Sequence, residues 1–321
     1  MRRALIALAL ALTACGQQQS ASAPPSATPA QAASASAGGT LAPANLPAFF
    51  DCLRESHFTA ISAHRGGPAP GFAENAIPTF EHTLARAPAI MEVDIARTRD
   101  NVLVLMHDDS VDRTTNGRGQ VDHLTAAQVS ALRLRDEDGA VLNAHPPTLR
   151  EALDWAEGKT ILALDVKRGV SYEDVAHAVA QAHAMNRVAF IAYGVAGAAR
   201  LHQVAPNAML FVSIRFPADL DDLVRRDVDL NRVVAWTGTD QPNSGLNIEL
   251  AQRGVEVEFG TLGGRRSWDS RFAEQQREQY AAFADTGLQL ISTGRPAEAL
   301  ADLDAHDNAR GYGAPQCVGA H

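Results

Sequence analysis

The stretch AIMEVDIA, residues 89–96, predicts a buried strand that carries two acids. Side chains two residues apart on a strand point to the same face, so Glu92 and Asp94 share one face and Val93 lies on the other. Two neighbouring carboxylates in an apolar strand repel each other. They are tolerated where a cation, a proton or water lies between them. The stretch therefore marks a candidate chemical site.

Two further predicted strands end in ionisable side chains. The strand near residues 58–64 ends at His64, and the strand near residues 160–166 places Asp165 and Lys167 on one face. In an α/β barrel, the carboxyl ends of the parallel strands hold the catalytic groups. We therefore expect these side chains to lie at one active end.

Strands alternate with helical stretches along residues 46–321, which we interpret as one barrel domain. Eight such units over about 275 residues are typical of a (β/α)8 TIM barrel of the α/β class. The predicted strands lie near 58–64, 89–95, 160–166, 186–193, 208–214, 232–237, 255–259 and 288–292. The predicted helices lie near 74–87, 171–184, 195–204, 217–227, 245–253, 265–284 and 296–304.

An insertion at about residues 97–147 interrupts this pattern between strand 2 and strand 3. Within it, residues 102–106 predict a short added strand, which His107 follows directly. Long ordered loops at the active end of a barrel usually serve function. The alternative is a surface insertion in which the histidine occurs by chance.

The amino-terminal segment predicts export. Residues 1–14 have the basic and apolar pattern of a signal peptide. The end of this segment resembles a bacterial lipobox, which predicts a lipidated Cys15; the alternative is a plain signal peptide. Residues 15–45 are uncharged and rich in Ala, Ser and Pro, which predicts a disordered tether. We expect a lipid-anchored protein of the bacterial cell envelope that faces the periplasm, at the outer membrane.

Composition excludes one class of partner. The chain has 321 residues, of which 46% are hydrophobic, and a formal net charge of −9. Nucleic-acid-binding domains are usually basic, so no nucleic acid is expected as a partner. The expected contact with a membrane is through the amino-terminal lipid.

Several motifs together resemble the glycerophosphodiester phosphodiesterases, including bacterial lipoprotein members. The similarity covers most of residues 58–168 and includes HRG at 64–66, ENA at 74–76, EVD at 92–94, HD at 107–108, DRTTNG at 112–117 and DVK at 165–167. The resemblance implies hydrolysis of a small glycerophosphodiester to sn-glycerol 3-phosphate and an alcohol. Two positions depart from the usual pattern: Asp165 replaces Glu, and Gly294 replaces the acid of Thr-Asp-Arg-Pro.

Site roles follow from this chemistry. Glu92, Asp94 and Asp165 supply three oxygen ligands suited to a hard divalent cation, Ca²⁺ or Mg²⁺. The alternative is that these acids pair with nearby Arg. The natural acid and base are His64 and His107, because the pKa of histidine lies near working pH.

Two cations are candidates for binding the phosphate. Arg65 has a planar guanidinium that can bind two phosphate oxygens. Lys167 is one of only two lysines in the chain. Such a composition suggests that lysine is kept where arginine does not fit.

The substrate pocket is predicted less directly. Glu74 either orients a catalytic group or occupies the first turn of a helix, where an acid is favoured. Trp236 and Glu258 are candidates to line the alcohol pocket and attract a cationic head group. The alternative for Glu258, and for Glu256, is a structural ion pair with Arg215.

Two other functions remain open at this point. The same site could act on intact lysophospholipids, in the manner of a lysophospholipase D, and release a cyclic phosphate. A catalytically inactive ligand-binding lipoprotein is the second alternative. The presence of both His64 and His107 argues against an inactive protein.

The remaining cysteines predict a disulfide. Once Cys15 carries lipid, Cys52 and Cys317 are left. Strand 1 pairs with strand 8 in a closed barrel, which brings the two ends of the domain near each other. Because disulfides persist in exported proteins, we expect these two residues to be paired rather than free.

Overall fold

The fold is a closed parallel barrel surrounded by helices. The computed structural model describes residues 39–306, 311 and 313–320. Its nine-stranded sheet closes because the first strand pairs in parallel with both the second and the last. Eight strands are parallel and form the barrel. The one remaining strand, which is the third along the chain, pairs with the second strand in the antiparallel direction. The prediction of a (β/α)8 barrel is confirmed.

The strands follow the predicted order closely. They are β1 (Ala60–Ala63), β2 (Ala89–Arg97), β3 (Leu103–Leu105), β4 (Leu162–Val166), β5 (Val188–Ala192), β6 (Met209–Ser213), β7 (Val233–Trp236), β8 (Glu256–Gly260) and β9 (Leu290–Thr293). Only β3 lies outside the barrel. It belongs to the insertion, at the place where the sequence predicts an added strand.

The helices are mostly those that connect successive barrel strands. They are α1 (Leu46–Ser56), α2 (Ile77–Leu84), α3 (Ala126–Ser130), α4 (Leu149–Ala156), α5 (Tyr172–Gln181), α6 (Val195–Val204), α7 (Ala218–Val224), α8 (Ser244–Gln252), α9 (Trp268–Gln275), α10 (Tyr280–Ala284) and α11 (Pro296–His306). No helix in the described part of the chain is long and apolar enough to cross a membrane.

Two predicted helices have different bounds in the structure. The stretch 265–284 forms α9 and α10, because Gln276 adopts a left-handed conformation with φ of 50° and ends α9. The stretch expected to start at Glu74 becomes helical only at Ile77, where a proline occupies the first turn. Glu74 therefore lies in the loop before α2.

Strand β2 shows how the sequence divides between the two sides of the barrel wall. Met91 and Val93 face outward and pack in the main core beneath the helices. Ile90 points inward and packs in a second core that closes the amino-terminal end of the barrel. We call this end the floor. Glu92 and Asp94 point inward above Ile90, so the alternation on β2 places both acids inside the barrel.

Helix α1 covers the floor, and the sequence reading did not include it. Phe49, Phe50 and Leu53 are fully buried against the inward-facing side chains of the strands. A disulfide joins Cys52 of α1 to Cys317, with a Cα–Cα distance of 5.6 Å. Cys317 lies in a short 3-10 helix, Ala314–Gly319, so both ends of the domain are fixed at the floor.

The folded domain begins earlier than predicted. Residues 39–45 were expected to belong to the tether, but Leu41 is fully buried in the floor. Its backbone N–H donates a hydrogen bond of 2.8 Å to the carbonyl of Lys159. The predicted signal peptide, Cys15 and the tether before residue 39 lie outside the described residues.

Candidate active site

Three buried carboxylates meet at the carboxyl ends of β2 and β4. Glu92 and Asp94 lie on β2, and Asp165 is the register partner of Asp94 on β4. One oxygen of each carboxylate lies within 4.8 Å of those of the other two. Burial, followed by the charges of Asp94 and Asp165, raises the pKa of Glu92 well above its ordinary value of 4.5. The cluster therefore stabilises positive charge.

Two basic side chains contact this acid cluster from opposite sides of β2. Lys167, which follows β4, places its Nζ 2.5 Å from Asp94 Oδ1 and 2.5 Å from Asp165 Oδ2. Arg65, which follows β1, places its Nε 3.6 Å from Asp94 Oδ2. Its backbone N–H donates to Glu92 Oε2 at 2.7 Å. The structure thus brings together five of the predicted site residues.

Two residues that the sequence reading did not assign hold the acids in place. Asn75 donates from Nδ2 to Asp94 Oδ2 at 2.6 Å, and its Oδ1 accepts the Asp94 backbone N–H at 3.0 Å. The Tyr193 hydroxyl donates to Asp165 Oδ2 at 2.8 Å. A signal existed for each, because Asn75 lies within one of the motifs and Tyr193 ends the fourth predicted strand. The acids are therefore oriented by neutral donors as well as by cations.

The donor set of the acid cluster fits a hard divalent cation. Its three ligands are carboxylates, and hard cations such as Ca²⁺ and Mg²⁺ prefer oxygen ligands. Glu92, Asp94 and Asp165 are the residues that would hold such an ion. The donor set does not distinguish Ca²⁺ from Mg²⁺.

A tight turn after β1 brings the backbone of Arg65 to the cluster. Arg65 and Gly66 both have left-handed backbone conformations, with φ of 52° and 83°. A Cβ atom on Gly66 would lie 2.2 Å from the ring of Phe80, so no larger residue fits there. The turn directs the Arg65 N–H at Glu92. A strained turn of this kind is common at functional sites.

His64 lies largely buried beside several cations. Burial is the main cause that lowers its pKa to about 3, and the charge of Arg65 is the second. The charges of His107 and Lys167 lower it further, whereas the charge of Glu74 raises it. The imidazole of His64 is therefore neutral at neutral pH.

The insertion delivers His107 to the site. Strand β3 pairs with β2, and the Met106 backbone N–H donates to the Asp94 carbonyl at 2.9 Å. The Nδ1 atom of His107 lies 2.7 Å from Asp108 Oδ1. A hydrogen bond from Arg113 is the largest cause that lowers the pKa of Asp108. Asp108 is thus an ionised acceptor, which fixes the Nδ1 proton on His107 and leaves Nε2 free.

Glu74 connects the two sides of the site. Its carboxylate accepts hydrogen bonds from Arg65 Nη1 at 3.1 Å and from Arg113 at 2.8 Å. The reading that placed Glu74 in the first turn of a helix is wrong, because α2 starts three residues later. Of the two alternatives, the contacts favour an orienting residue.

Comparison with known proteins assigns this chain to a family. Residues 64–215 match the model of the glycerophosphoryl diester phosphodiesterase family. A glycerophosphoryl diester phosphodiesterase of known structure from Parabacteroides distasonis is 30% identical, with a TM-score of 0.74; the alignment covers 83% of this chain and 94% of that one. This chain belongs to the glycerophosphoryl diester phosphodiesterase family.

Other relatives extend the comparison. A glycerophosphodiester phosphodiesterase from Caldanaerobacter subterraneus is 32% identical over 114 residues, which are 35% of this chain and 46% of that protein. The chain thus spans about half the length of the curated relatives it matches. A phosphodiesterase from Oleispira antarctica, solved in complex with the product sn-glycerol-3-phosphate, is 18% identical with a TM-score of 0.59, covering 78% of this chain and 99% of that one. That likeness is one of fold.

One departure from the family pattern has a structural counterpart. Gly294 replaces the usual acid, but the carboxylate of Asp269, from the first turn of α9, lies at the same turn. Asp269 Oδ2 accepts the Gly294 N–H at 2.8 Å and lies 3.6 Å from where a Cβ on Gly294 would be. Its Oδ1 accepts from the hydroxyls of Thr293 at 2.8 Å and Tyr280 at 2.9 Å. In this chain, an acid from a different helix therefore lies at this turn.

The two candidate pocket residues on β7 and β8 occupy different environments. Trp236 is half-buried at the carboxyl end of β7, and its indole packs over Gly260, where a Cβ would lie 2.4 Å from the ring. Glu258 is its register partner, but it is only 3% exposed inside the barrel. The expected ion pairs with Arg215 are wrong, because Arg215 is exposed and Glu256 instead pairs with Arg54 of the floor helix.

Burial makes Glu258 a proton-binding group. It raises the pKa of this carboxyl to about 8, and the facing Ser62 hydroxyl offsets the increase only in part. Between an unfolded pKa of about 4.5 and a folded pKa of about 8, the folded chain binds more protons than the unfolded chain. This contribution to stability therefore falls as the pH rises through that window.

Replacing Glu258 by glutamine should remove the loss of stability that accompanies ionisation of this buried carboxyl at high pH. We expect Glu258→Gln to raise the free energy of unfolding by roughly 2–4 kcal/mol at pH 8.5, and by less than about 1 kcal/mol at pH 5. Urea denaturation at the two pH values measures the difference. Glu249→Gln, on the exposed side of α8, is the matched control and should change neither value. An equal effect of Glu258→Gln at both pH values would contradict an ionisable buried carboxyl.

Proposed function

We propose that this protein hydrolyses glycerophosphodiesters to sn-glycerol 3-phosphate and an alcohol, with a divalent cation held by the acid cluster. The observation that carries the proposal is the convergence of Glu92, Asp94 and Asp165 with two histidines and two cations. Membership of the family supports it, as does the glycerol phosphate product bound by the structural neighbour from Oleispira antarctica. When bound, a divalent cation supplies positive charge and Lewis acidity at the phosphate.

Arg65 and Lys167 are suited to bind the phosphate. The Nε atom of Arg65 is buried and has no hydrogen-bond acceptor among the described residues. A buried donor without an acceptor is costly, and a phosphate oxygen would satisfy it. Lys167 uses two of its three N–H donors on Asp94 and Asp165, which leaves one for the substrate. Both cations therefore offset the charge of the diester.

The two histidines have environments that suit opposite roles. His64 is uncharged at working pH, so its imidazole can accept a proton from the hydroxyl group or water that attacks the phosphorus. His107 is oriented by Asp108 through its Nδ1 atom, which leaves Nε2 to transfer a proton. We assign His64 as the base, and His107 as the acid that protonates the leaving alkoxide.

The space around the acid cluster fits a diester with a polar alcohol. A cavity of about 900 Å³ opens beside His64 and Arg65, and one of about 370 Å³ opens beside His107 and Lys167. Leu262 is the only long aliphatic side chain among the described residues that line the larger cavity, which also contains Arg86, Arg295 and Glu298. The charged groups in these walls can bind a polar alcohol.

Hydrolysis of glycerophosphoethanolamine by the purified full-length protein tests the proposal. We expect release of glycerol 3-phosphate in the presence of Ca²⁺, Mg²⁺ or Mn²⁺, loss of activity with chelator, and recovery when the cation is added back. Phosphorus NMR distinguishes this product from a cyclic phosphate. Absence of turnover on every glycerophosphodiester with each of the three cations would refute the proposed function. Release of a cyclic phosphate from lysophospholipids alone would favour the second enzymatic reading.

A further inference from the structure

Arg113 occupies an unusual place between the barrel and the insertion. It lies on the insertion, yet it makes four hydrogen bonds to two carboxylates. Its Nη1 and Nη2 donate to the two oxygens of Glu74, each at 2.8 Å. Its Nε donates to Asp108 Oδ2 at 2.7 Å, and its Nη2 also reaches Asp108 Oδ1 at 3.0 Å. Arg113 thus bridges two acids that belong to different parts of the chain.

Each of these acids holds a residue of the proposed machinery. Glu74 binds the guanidinium of Arg65, whose free Nε points at the acid cluster. Asp108 binds Nδ1 of His107. A continuous chain of charge-assisted hydrogen bonds therefore runs from Arg65 through Glu74, Arg113 and Asp108 to His107. Bonds of this kind are short and directional, so they transmit position.

We propose that Arg113 is a positioning residue that sets the location of His107 relative to Arg65 by joining Asp108 to Glu74. This inference rests on the proposed function for its catalytic consequence, but its structural content does not. Four of the five N–H donors of Arg113 are engaged by the two acids, so Arg113 acts through them rather than on the phosphate. The ionic state of the bridge agrees with this role, since contacts with Glu74 and Asp108 raise the pKa of Arg113.

The geometry explains why an arginine is used. A lysine ammonium is a compact charge, whereas the planar guanidinium presents donors along two edges. One edge of Arg113 faces Glu74 and the adjacent edge faces Asp108. Lysine could satisfy one carboxylate at a time, so it would keep the charge but lose the bridge.

The decisive variant is Arg113→Met, which keeps the length of the side chain and removes the charge and all donors. We expect kcat to fall by about 10–100-fold, as for other residues that orient a catalytic group, with KM changed by less than about 3-fold. Arg113→Lys should recover only part of the loss. The matched control is Arg118→Met, because Arg118 lies on the same insertion, is 88% exposed and, within the part of the chain that the structure describes, forms an ion pair with Asp112 alone. Arg118→Met should leave kcat unchanged.

A readout independent of turnover separates positioning from general loss of structure. In the wild-type protein, nitrogen-15 NMR should show His107 protonated on Nδ1, held by Asp108. In Arg113→Met, the ring should populate both tautomers while the thermal midpoint stays within about 3 °C of wild type. An unchanged His107 spectrum together with an unchanged kcat would overturn the inference. If no diester is hydrolysed by the wild type, the proposed function fails, and the His107 spectrum still tests the bridge.

Discussion

Replacing Asp94 with asparagine should reduce kcat/KM by at least about 10²–10³-fold, the range found when one preorganised electrostatic contact is removed from an active site. Asp94 is 1% exposed and is the central residue of the cluster. It contacts Lys167, Arg65 and Asn75. The amide has nearly the same shape as the carboxylate, so the change removes a charge and leaves the packing intact. The loss of a ligand should also weaken binding of the divalent cation.

Isothermal titration with Ca²⁺, Mg²⁺ and Mn²⁺ measures the second effect. We expect the dissociation constant of Asp94→Asn to rise by at least about 10-fold for any ion that the wild type binds. Asp154→Asn, an equally conservative change on the exposed face of α4, serves as control and should bind as the wild type does. Full activity of Asp94→Asn with unchanged ion affinity would contradict the assignment of the acid cluster as a metal centre.

Replacing His107 with alanine should lower kcat/KM by at least about 10²-fold, as expected for a group that transfers a proton in the transition state. Affinity for the divalent cation should remain within a factor of about 3, because His107 does not belong to the acid cluster. The comparison of activity with ion binding separates this variant from Asp94→Asn.

His123→Ala provides the control for the insertion. His123 lies on the same insertion, but its side chain is 77% exposed, and Asp122 is its ion-pair partner among the described residues. Its removal should leave kcat/KM unchanged. A fully active His107→Ala would show that the insertion does not supply the acid. His64→Ala should lose activity to a similar extent, since the reaction needs both a base and an acid.

The barrel and the acid cluster could be predicted from the sequence because both follow from local patterns. Alternation along β2 places Glu92 and Asp94 on the same face, and strand order brings Asp165 beside them. Contacts between residues at the ends of neighbouring strands can therefore be predicted from periodicity and motifs.

The contacts that depend on long-range pairing were not accessible in this way. Nothing in the local sequence states that Arg113 pairs with Glu74, 39 positions earlier, rather than with a nearer acid. Asp269 replaces the acid missing at position 294 only because the fold brings α9 beside β9. The burial of Glu258 is likewise a property of the closed barrel. The alternation along β8 predicts that this side chain points inward, but it does not predict that the side chain is shielded from water.

Other misses had a different origin. The floor helix α1 carries a readable pattern, with Phe49, Phe50 and Leu53 buried on one face and Asn45 as its cap. This signal lies outside the repeating strand-and-helix unit, so the barrel pattern does not predict it. The break between α9 and α10 contains no glycine or proline that would predict it. Instead, Gln276 adopts the left-handed conformation that ends α9. Such a break is set by tertiary packing.

The position of the floor has a consequence for how the domain is presented to its surroundings. The described chain enters at Leu41 on the floor, and the Cys52–Cys317 disulfide fastens the carboxyl-terminal segment at the same end. The histidines and acids lie at the other end of the barrel. The described amino-terminal residues therefore meet the barrel at the end opposite the acid cluster. Stability and the proposed chemistry are thus divided between the two ends of one barrel.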